Sequence, residues 1–408
     1  MGALAMDYDL ILRNGHVIDP SQRLNEILDL GIKNGLIADL AKSIVATPQT
    51  RQIDLTGKYV SPGLVDLHGH WFEGSCFGID PHLCLNHGVT TVVDAGTTGF
   101  VNFPEFRRNR VDTARIQVLA FIHIGCLGIP TTLVGELDDL RYARPRETVA
   151  VIEANRDVTV GVKIREGSMT ASHGLEALDL ALQAGRETAS PLMVHISQSA
   201  KTVDILSKLR PGDIVTHCFQ GRGDGILAEP SQTLLPQVAE ARRRGVIFDV
   251  GHGCGSFCWE SARRAFEYAF FPDTISTDLH RFSVSRWAID LPTTLSKFLH
   301  LGMSLEEVIL KSTWAPAKAI HRADQLGTLR KGTVADVFVF EIEEGEFEFE
   351  DTHLRVETGR RRLRPSLVVK SGEVIEAGSV QVKLRELYDC DREVLSWVEQ
   401  TADKRPAS

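Results

Sequence analysis

The stretch Leu64-Val65-Asp66-Leu67-His68-Gly69-His70 is a short apolar run that ends in two histidines separated by one residue. Side chains at positions i and i+2 of a β-strand point to the same side, so both imidazoles can bind one ion. Four further groups each end a similar apolar run later in the chain: Lys163, His195, His217 and Asp278. Four imidazoles, a carboxylate and a lysine suit a borderline divalent cation such as zinc. The sequence therefore predicts one metal site built from these six groups.

The middle of the chain, residues 61–322, alternates short apolar runs with amphipathic stretches such as 175–182 and 304–311. The candidate strands are 64–67, 90–94, 116–122, 160–164, 192–195, 214–217, 246–250 and 274–277. Continuous Val- and Ile-rich strands that alternate with helices indicate a parallel sheet. Eight such units in about 250 residues predict an α/β fold, a TIM-like (β/α)8 barrel whose chemistry lies at the C-terminal ends of its strands. The metal-binding candidates lie at those ends, which supports the barrel.

Both ends of the chain are rich in β-strand patterns. Asn14-Gly15 and Asn34-Gly35 each separate two apolar runs, which is a strong hairpin signal. A strand at 335–340 and a hairpin at 367–375 repeat this style near the C-terminus. We therefore predict a small composite β-sandwich domain built from both termini. The predicted division is 1–60 and 323–383 for the sandwich, 61–322 for the catalytic barrel, and 384–408 for a terminal helix and tail.

Composition narrows the class of protein. The 408 residues carry a formal net charge of −9 with a pI of about 5.9, and the sequence has no basic stripe suited to nucleic acid. No apolar run approaches the ~20 residues of a membrane helix, and the first residues do not resemble a secretory signal. Seven cysteines without regular spacing are typical of reduced thiols. We expect a cytoplasmic protein that acts on a small molecule and can form a homo-oligomer.

Lys163 is the unusual member of the predicted site, in Val160-Gly161-Val162-Lys163-Ile164-Arg165. Nearby cations and desolvation both lower the pKa of a lysine. The neutral amine can then add CO2 and become a carbamate, an anion whose two oxygens can bridge two metal ions. The alternative is a surface lysine at the end of a strand. The predicted cofactors are thus two divalent ions, zinc or similar, and a CO2-derived carbamate on Lys163.

A geometry and a mechanism follow from this ligand set. His68, His70 and Asp278 are expected to hold the more buried ion, and His195 and His217 the second. Two ions about 3.5–4 Å apart, bridged by the carbamate and a hydroxide, would lower the water pKa towards 7 and polarise a carbonyl group. Asp278 is the best candidate for the general base that takes the proton of the attacking water. These features predict a metal-dependent hydrolase.

Three further residues are candidates for binding substrate. Arg165 follows Lys163 by two positions, so it points to the same side and could stabilise an oxyanion or bind a carboxylate. An ion pair with Glu166 or a solvent-facing side chain is the alternative. His252, in a glycine-rich loop after the seventh candidate strand, could hydrogen-bond substrate or serve the structure. Arg281 is a weaker carboxylate-binding candidate.

The chain resembles members of the amidohydrolase superfamily. The matching pieces are Pro62 to His70, Lys163, Val194-His195, Thr216-His217, Ser276-Thr277-Asp278 and Gly332-Thr333-Val334-Ala335-Asp336. The resemblance covers nearly the whole chain, and it implies a binuclear site with a carboxylated lysine and the hydrolysis of amides or esters. Three segments resemble the deacetylase branch more closely: His68 to Trp71, Asp94 to Gly99, and Lys163 to Arg165. That branch implies hydrolysis of N-acetyl amino acids or acetylated α-hydroxy acids, with Arg165 stabilising the transition state.

Other branches fit less well. Dihydroorotases resemble His-x-His-x-Arg, whereas Phe72 stands at the arginine position here. Purine and pyrimidine deaminases tend to carry a glutamate three residues after the fifth-strand histidine, where this chain has Gln198. The alternative function is therefore a cyclic-amide hydrolase similar to hydantoinases or dihydroorotases. A catalytically silent homologue that binds a partner would need a lost ligand, and all six are present.

Overall fold

The structure is a computed structural model that describes residues 7–131, 135–167, 174–197, 201–223, 225–229 and 231–384, together with residues 392 and 396. Its strands are β1 (Leu10–Asp19), β2 (Leu24–Lys33), β3 (Leu36–Ala41), β4 (Arg51–Asp54), β5 (Tyr59–Pro62), β6 (Leu64–Gly69), β7 (Val89–Gly99), β8 (Gln117–His123), β9 (Thr159–Glu166), β10 (Leu192–Ile196), β11 (Ile214–Thr216), β12 (Leu227–Ala228), β13 (Thr233–Leu234), β14 (Ile247–Phe248), β15 (Val337–Glu350), β16 (Val356–Lys370) and β17 (Glu373–Glu376). Its helices are α1 (Phe103–Asn109), α2 (Pro145–Ala154), α3 (Glu176–Glu187), α4 (Thr202–Lys208), α5 (Pro236–Arg244), α6 (Trp259–Glu267), α7 (Leu291–His300), α8 (Leu305–Ser312) and α9 (Trp314–Ala319).

A parallel sheet forms the centre of the molecule, in the order β14-β11-β10-β9-β8-β7-β6. Its strands are buried on both faces, because alternate residues enter two different cores. Val65, Val93 and Phe121 belong to one hydrophobic cluster. Leu64 and Val92, their neighbours along the chain, belong to the larger cluster formed with the surrounding helices. Two-sided burial explains why these strands read as continuous apolar runs.

The sheet curls, and one segment links its two edges. Thr274 pairs with Asp249 just beyond β14, and Leu279 pairs with Gly69 at the end of β6, both in parallel. This segment contains the predicted eighth strand, 274–277, but it forms only these isolated bridges. The Thr277 amide donates to the Asp66 carboxylate at 3.0 Å, and Asp278 adopts a positive φ of 47°. The prediction of a regular strand here is therefore wrong, whereas a mixed α/β fold with a curled parallel sheet is confirmed.

Strands from both termini join in a second sheet, in the order β17-β16-β15-β5-β1-β2-β3, with β4 also paired to β1. β15 pairs antiparallel with β5, so the chain ends meet in one sheet. The two edges of this sheet approach each other, since a Cβ on Gly35 in the β2–β3 turn would lie 2.8 Å from the carbonyl oxygen of Ser371 in the β16–β17 turn. The sheet is therefore curled. Joint construction from both termini is observed, whereas two facing sheets, which a sandwich requires, stay a prediction.

The two asparagine–glycine pairs behave differently. Asn34-Gly35 forms a two-residue turn with φ of 50° and 73° between β2 and β3, as predicted. Asn14-Gly15 does not turn the chain, because β1 continues through it with a bulge between Leu12 and Gly15. The hairpin predicted at this point is wrong. The Asn14 amide donates to the Asp29 carboxylate at 3.0 Å, which holds the bulge in place.

The amphipathic stretches at 175–182 and 304–311 are helical, in α3 and α8. Ser304 and Glu307 form a capping box that starts α8, each side chain accepting from the other's backbone amide. Along the described ranges, no helix combines the length and the apolar character needed to cross a lipid bilayer. The terminal helix and tail predicted for 384–408 lie almost entirely outside the described residues.

Candidate metal centre

Three predicted ligands meet at the end of β6. His68 Nε2 lies 3.3 Å and His70 Nε2 lies 3.1 Å from the same atom, Oδ1 of Asp278. One ligand atom from each of these residues can be chosen so that all lie within 4.8 Å of one another, and all three residues are buried. The bridge between Gly69 and Leu279 brings Asp278 next to the two histidines. Among the described residues, this is a group of donors spaced to hold one metal ion.

Hydrogen bonds at Nδ1 fix which ring nitrogen carries the proton in His68 and His217. The Thr216 hydroxyl donates to Asp249 Oδ2 at 2.8 Å, so it can only accept from His68 Nδ1, which lies 2.8 Å away. His217 Nδ1 lies 2.7 Å from the Gly251 carbonyl oxygen, which can only accept. Both rings therefore carry their proton on Nδ1 and present the lone pair of Nε2. A hydrogen-bond acceptor at Nδ1 is typical of histidines that bind metals through Nε2.

His70 is held in a similar way. Its Nδ1 lies 2.8 Å from the Thr97 hydroxyl, and the amide of Thr97 donates to Asp94 Oδ1 at 2.7 Å. Burial raises the pKa of Asp94 to about 6, although hydrogen bonds from Trp71 and Thr97 oppose the shift. β7 thus supplies a threonine and an aspartate behind His70, as Thr216 and Asp249 do behind His68.

His195 and His217 lie together beside this group. Their ring centroids are 4.2 Å apart, and the His217 ring is 5.0 Å from that of His68. His217 directly follows β11 and has a φ of 71°, which turns it away from the extended path of the strand. Burial lowers the pKa of His217 to about 4 and that of His195 well below its usual value. Both imidazoles are therefore neutral at pH 7, the form that binds metals.

Lys163 completes the arrangement. Its side chain is fully buried, and its Nζ lies 3.3 Å from His68 Nε2. Burial lowers the pKa of Lys163 to about 7, although Asp278 opposes the shift. Gly96 makes room for it, because a Cβ on Gly96 would lie 2.6 Å from Lys163 Cβ. A buried lysine with a pKa near 7 is readily present as the neutral amine.

These residues fit a cation. The lone pair of His68 Nε2 faces the Asp278 carboxylate at 3.3 Å, and a positive charge near both of these acceptors would stabilise the arrangement. Of the side chains that the structure describes, His217 Nε2 and Asp278 Oδ1 are buried polar atoms without a hydrogen-bond partner. Buried polar atoms are normally satisfied, so such a pair calls for an explanation. The donor set provides one, since imidazole and carboxylate groups are ligands of divalent metals.

Asp249 and Asp66 support the site from behind the ligands. Asp249 accepts hydrogen bonds at 2.7–2.8 Å from the hydroxyls of Thr216, Thr274 and Ser276. Burial raises the pKa of Asp249, and these hydroxyls oppose the shift. Asp66 accepts from the amide and the hydroxyl of Thr277, directly before Asp278. Sequence reasoning missed these supporting roles, although Asp66 and Asp249 both lie in apolar runs where a carboxylate needs a partner.

Arg165 lies at the end of β9 and pairs with Glu136, not with Glu166. Its guanidinium donates to both carboxylate oxygens of Glu136, with the Nη2–Oε2 contact at 2.9 Å. Burial would raise the pKa of Glu136, but the charge and hydrogen bonds of Arg165 outweigh it and lower that pKa. The Arg165 Cζ also lies 5.8 Å from the ring centroid of Phe77. Glu136 thereby fixes the plane of the guanidinium.

The other two substrate-binding candidates lie in different surroundings. Both ring nitrogens of His252 have protein partners, namely Lys297 Nζ at 2.8 Å and the Gly253 carbonyl oxygen at 3.0 Å. Arg281 is buried and lines a small cavity together with Glu73, Asp80 and Ser285.

His280, which sequence reasoning did not select, has its ring centroid 6.0 Å from that of His70. Gln198, at the position that would be glutamate in deaminases, lies outside the described residues.

Comparison with known proteins places the chain in a class. The model of the amidohydrolase family matches residues 59–375. A deacetylase of Agrobacterium fabrum is 34% identical over 372 residues, which cover 90% of each chain. A solved structure titled as an adenine deaminase is 33% identical, with a TM-score of 0.85 over 91% of this chain and 100% of that one. Another, titled as a dihydroorotase, is 31% identical, with a TM-score of 0.83 over 90% and 98%.

The chain therefore belongs to the amidohydrolase family. The predictions of an amidohydrolase and of an enzyme that hydrolyses amide bonds are confirmed.

Proposed function

We propose that the protein is a metal-dependent deacetylase that releases acetate from a small carboxylate-bearing compound. One observation carries the proposal. The Nε2 lone pairs of His68 and His217 converge with the carboxylate of Asp278 and the amine of Lys163 in a buried space. The name of the Agrobacterium fabrum relative supports deacetylation.

His68, His70 and Asp278 would hold one divalent ion, and His195 and His217 the second, with a CO2-derived carbamate on Lys163 as ligand to both. Zinc suits these nitrogen and oxygen donors. When bound, such ions would lower the pKa of a water and polarise the carbonyl group of the substrate. The pKa of about 7 at Lys163 supports the carbamate, since CO2 adds to the neutral amine.

Asp278 would move the proton. Its Oδ1 faces His68 and His70, and its Oδ2 faces Gly253, where an added Cβ would lie only 2.4 Å away. We infer that this carboxylate takes the proton of the attacking water and delivers it to the leaving amine or alcohol. An added side chain at position 253 would therefore collide with Oδ2.

Arg165 would bind the acyl oxygen or a carboxylate of the substrate. Two of its nitrogens donate to Glu136, so the guanidinium is held in one orientation at the end of β9. A pre-oriented cation next to the metal ligands can stabilise negative charge that develops on an oxygen. His252 and Arg281 remain proposed substrate contacts of lower priority, because the ring of His252 is already bonded on both nitrogens.

A cyclic-amide hydrolase is the second candidate, supported by the structural likeness to a protein titled as a dihydroorotase. At the position two residues after His70, Phe72 is buried and its ring lies 5.6 Å from that of Phe106. An apolar ring packed in the core cannot hold a substrate carboxylate. This residue favours the deacetylase.

We infer that segment 274–279 completes a (β/α)8 barrel over residues 61–322, and that the terminal strands form a sandwich-like domain from 1–60 and 323–383. The two bridges at the sheet edges and the shared terminal sheet support this division. We also propose a cytoplasmic location, on the irregularly spaced cysteines of the chain, and self-association stays a prediction.

The direct test is acetate release from a panel of N-acetyl-D- and N-acetyl-L-amino acids, using protein reconstituted with zinc and bicarbonate. We expect acetate from one chiral series, and none from the matched Asp278→Asn variant. Ring opening of hydantoins or dihydropyrimidines without acetate would favour the second candidate. Inactivity on both panels in protein that carries its metals would contradict the proposed function.

A further inference from the structure

Lys297 is a buried lysine outside the metal centre. It lies in α7, and its side chain is only 1% exposed. Its Nζ lies 2.7 Å from the carbonyl oxygen of Trp287, 2.7 Å from that of Glu350 and 2.8 Å from His252 Nε2. An ammonium has three donors and no acceptor, and here each donor has one acceptor. Lys297 thus ties together the segment before α7, the end of β15 and the loop after β14.

His252 connects this junction to the metal centre. Its amide donates to the Ser276 carbonyl oxygen at 3.2 Å, and its Nδ1 lies 3.0 Å from the Gly253 carbonyl oxygen. Because a carbonyl only accepts, Nδ1 carries the proton and Nε2 accepts from Lys297. The ring also stacks on Phe257, with centroids 4.7 Å apart. The position of this imidazole is therefore set on both edges and on one face.

The residues on either side of His252 contact two metal-ligand candidates. The Gly251 carbonyl oxygen accepts from His217 Nδ1 at 2.7 Å. The Gly253 amide donates to the Thr277 carbonyl oxygen at 2.8 Å, and Gly253 packs against Asp278 Oδ2. Both glycines have positive φ, 48° and 53°. Because glycine backbones adopt many conformations, contacts with neighbouring residues must hold the loop in this one. A shift of the loop would move His217 and Asp278 together.

The hairpin of β15 and β16 supports the same region. At its tip, the Thr352 hydroxyl donates to the Phe257 carbonyl oxygen at 2.7 Å, and Asp351 accepts from the Trp259 amide at 3.0 Å. The Glu350 carbonyl oxygen, one residue earlier, accepts from Lys297. The terminal sheet thereby reaches the loop that supports the metal centre.

We propose that Lys297 is a positioning residue: through His252 it fixes the loop Gly251–Gly253 and hence the placement of His217 and Asp278. The inference rests on the proposed function, in which those two residues hold metal and move a proton. Lys297 itself touches neither substrate nor reacting atoms. It acts by holding the loop in one conformation.

The test is metal affinity, measured by competition with a chelator on the full chain using zinc alone, together with kcat and KM. Lys297→Met should weaken zinc binding by about 10–100-fold, as the loss of other groups that orient metal ligands does. It should lower kcat while KM stays within about threefold, when assayed well below the melting temperature of each variant. Lys311→Met is the matched control, because it removes a half-buried ammonium from α8 and leaves the three bonds of Lys297 in place.

A second variant guards against misfolding of the first. His252→Phe keeps a ring against Phe257 and leaves Lys297 its two carbonyl acceptors, while it removes both the bond from Lys297 and the bond from Nδ1 to Gly253. It should reproduce the loss of zinc affinity, and the double variant should lose no more than either single one. Normal zinc affinity and kcat in folded His252→Phe would overturn the positioning role, even if its melting temperature falls. Absence of zinc binding in the wild-type protein would instead overturn the proposed function, and the positioning role with it.

Discussion

Replacement of Thr216 by valine removes one hydroxyl and keeps the shape of the side chain. That hydroxyl donates to Asp249 Oδ2 at 2.8 Å and accepts from His68 Nδ1 at 2.8 Å. A lost hydrogen bond to a charged group costs about 1.5–3 kcal/mol, and a buried N–H without an acceptor about 1–3 kcal/mol. We therefore expect Thr216→Val to lower the free energy of unfolding by about 2.5–6 kcal/mol.

The same change should weaken zinc binding by about 10–100-fold, because His68 loses the group that fixes its tautomer and ring orientation. Thr274→Val is the matched control. The Thr274 hydroxyl donates to Oδ1 of the same carboxylate at 2.7 Å, and its removal leaves the contact between Thr216 and His68 in place.

The assay combines thermal unfolding with zinc affinity by chelator competition. Both variants should melt at lower temperature, and only Thr216→Val should lose zinc affinity. Equal zinc affinity in the two variants would mean that the Nδ1 contact does not prepare His68 for the metal.

Three further predictions concern single side chains. Lys163→Ala should lose activity and bound metal, with partial rescue by acetate or propionate, measured by turnover and elemental analysis; full activity without rescue contradicts the carbamate. Asp278→Asn should reduce kcat by at least about 100-fold while much of the metal remains, and near-normal turnover excludes it as the base. Burial and Asp179 raise the pKa of Glu166 to about 8 from 4.5, so the folded protein keeps this proton and loses stability as pH rises between these values. Glu166→Gln should therefore stabilise the protein by up to about 4 kcal/mol at pH 8 and have little effect near pH 4.5, measured by thermal unfolding at both pH values.

The curled sheet was predictable because its strands are short, apolar and separated by helices. Local patterns also identified the turns at Asn34-Gly35 and Ser371-Gly372, where both residues have positive φ. Asn14-Gly15 carries the same local signal yet lies within one strand. The amide of Asn14 and the guanidinium of Arg13 both donate to the carboxylate of Asp29. Asp29 lies in another strand, so no local pattern reveals this contact.

In the candidate site, too, local sequence predicted some residues and missed others. Strand ends and residue types selected the six ligand candidates, since parallel strands bring their C-terminal ends to one edge. The groups that orient them were not found, because a threonine such as Thr216 is unremarkable in a strand. Glu136 and Lys297 also escaped notice, as each acts through a partner more than 25 positions away along the chain.

We propose that two divalent ions are held together by His68, His70, Lys163, His195, His217 and Asp278. Elemental analysis of the protein, reconstituted with zinc and bicarbonate and freed of excess metal, tests it most directly. We expect about two zinc ions per chain, and a clear loss in His217→Ala. A wild-type protein that retains no zinc after this treatment would contradict it.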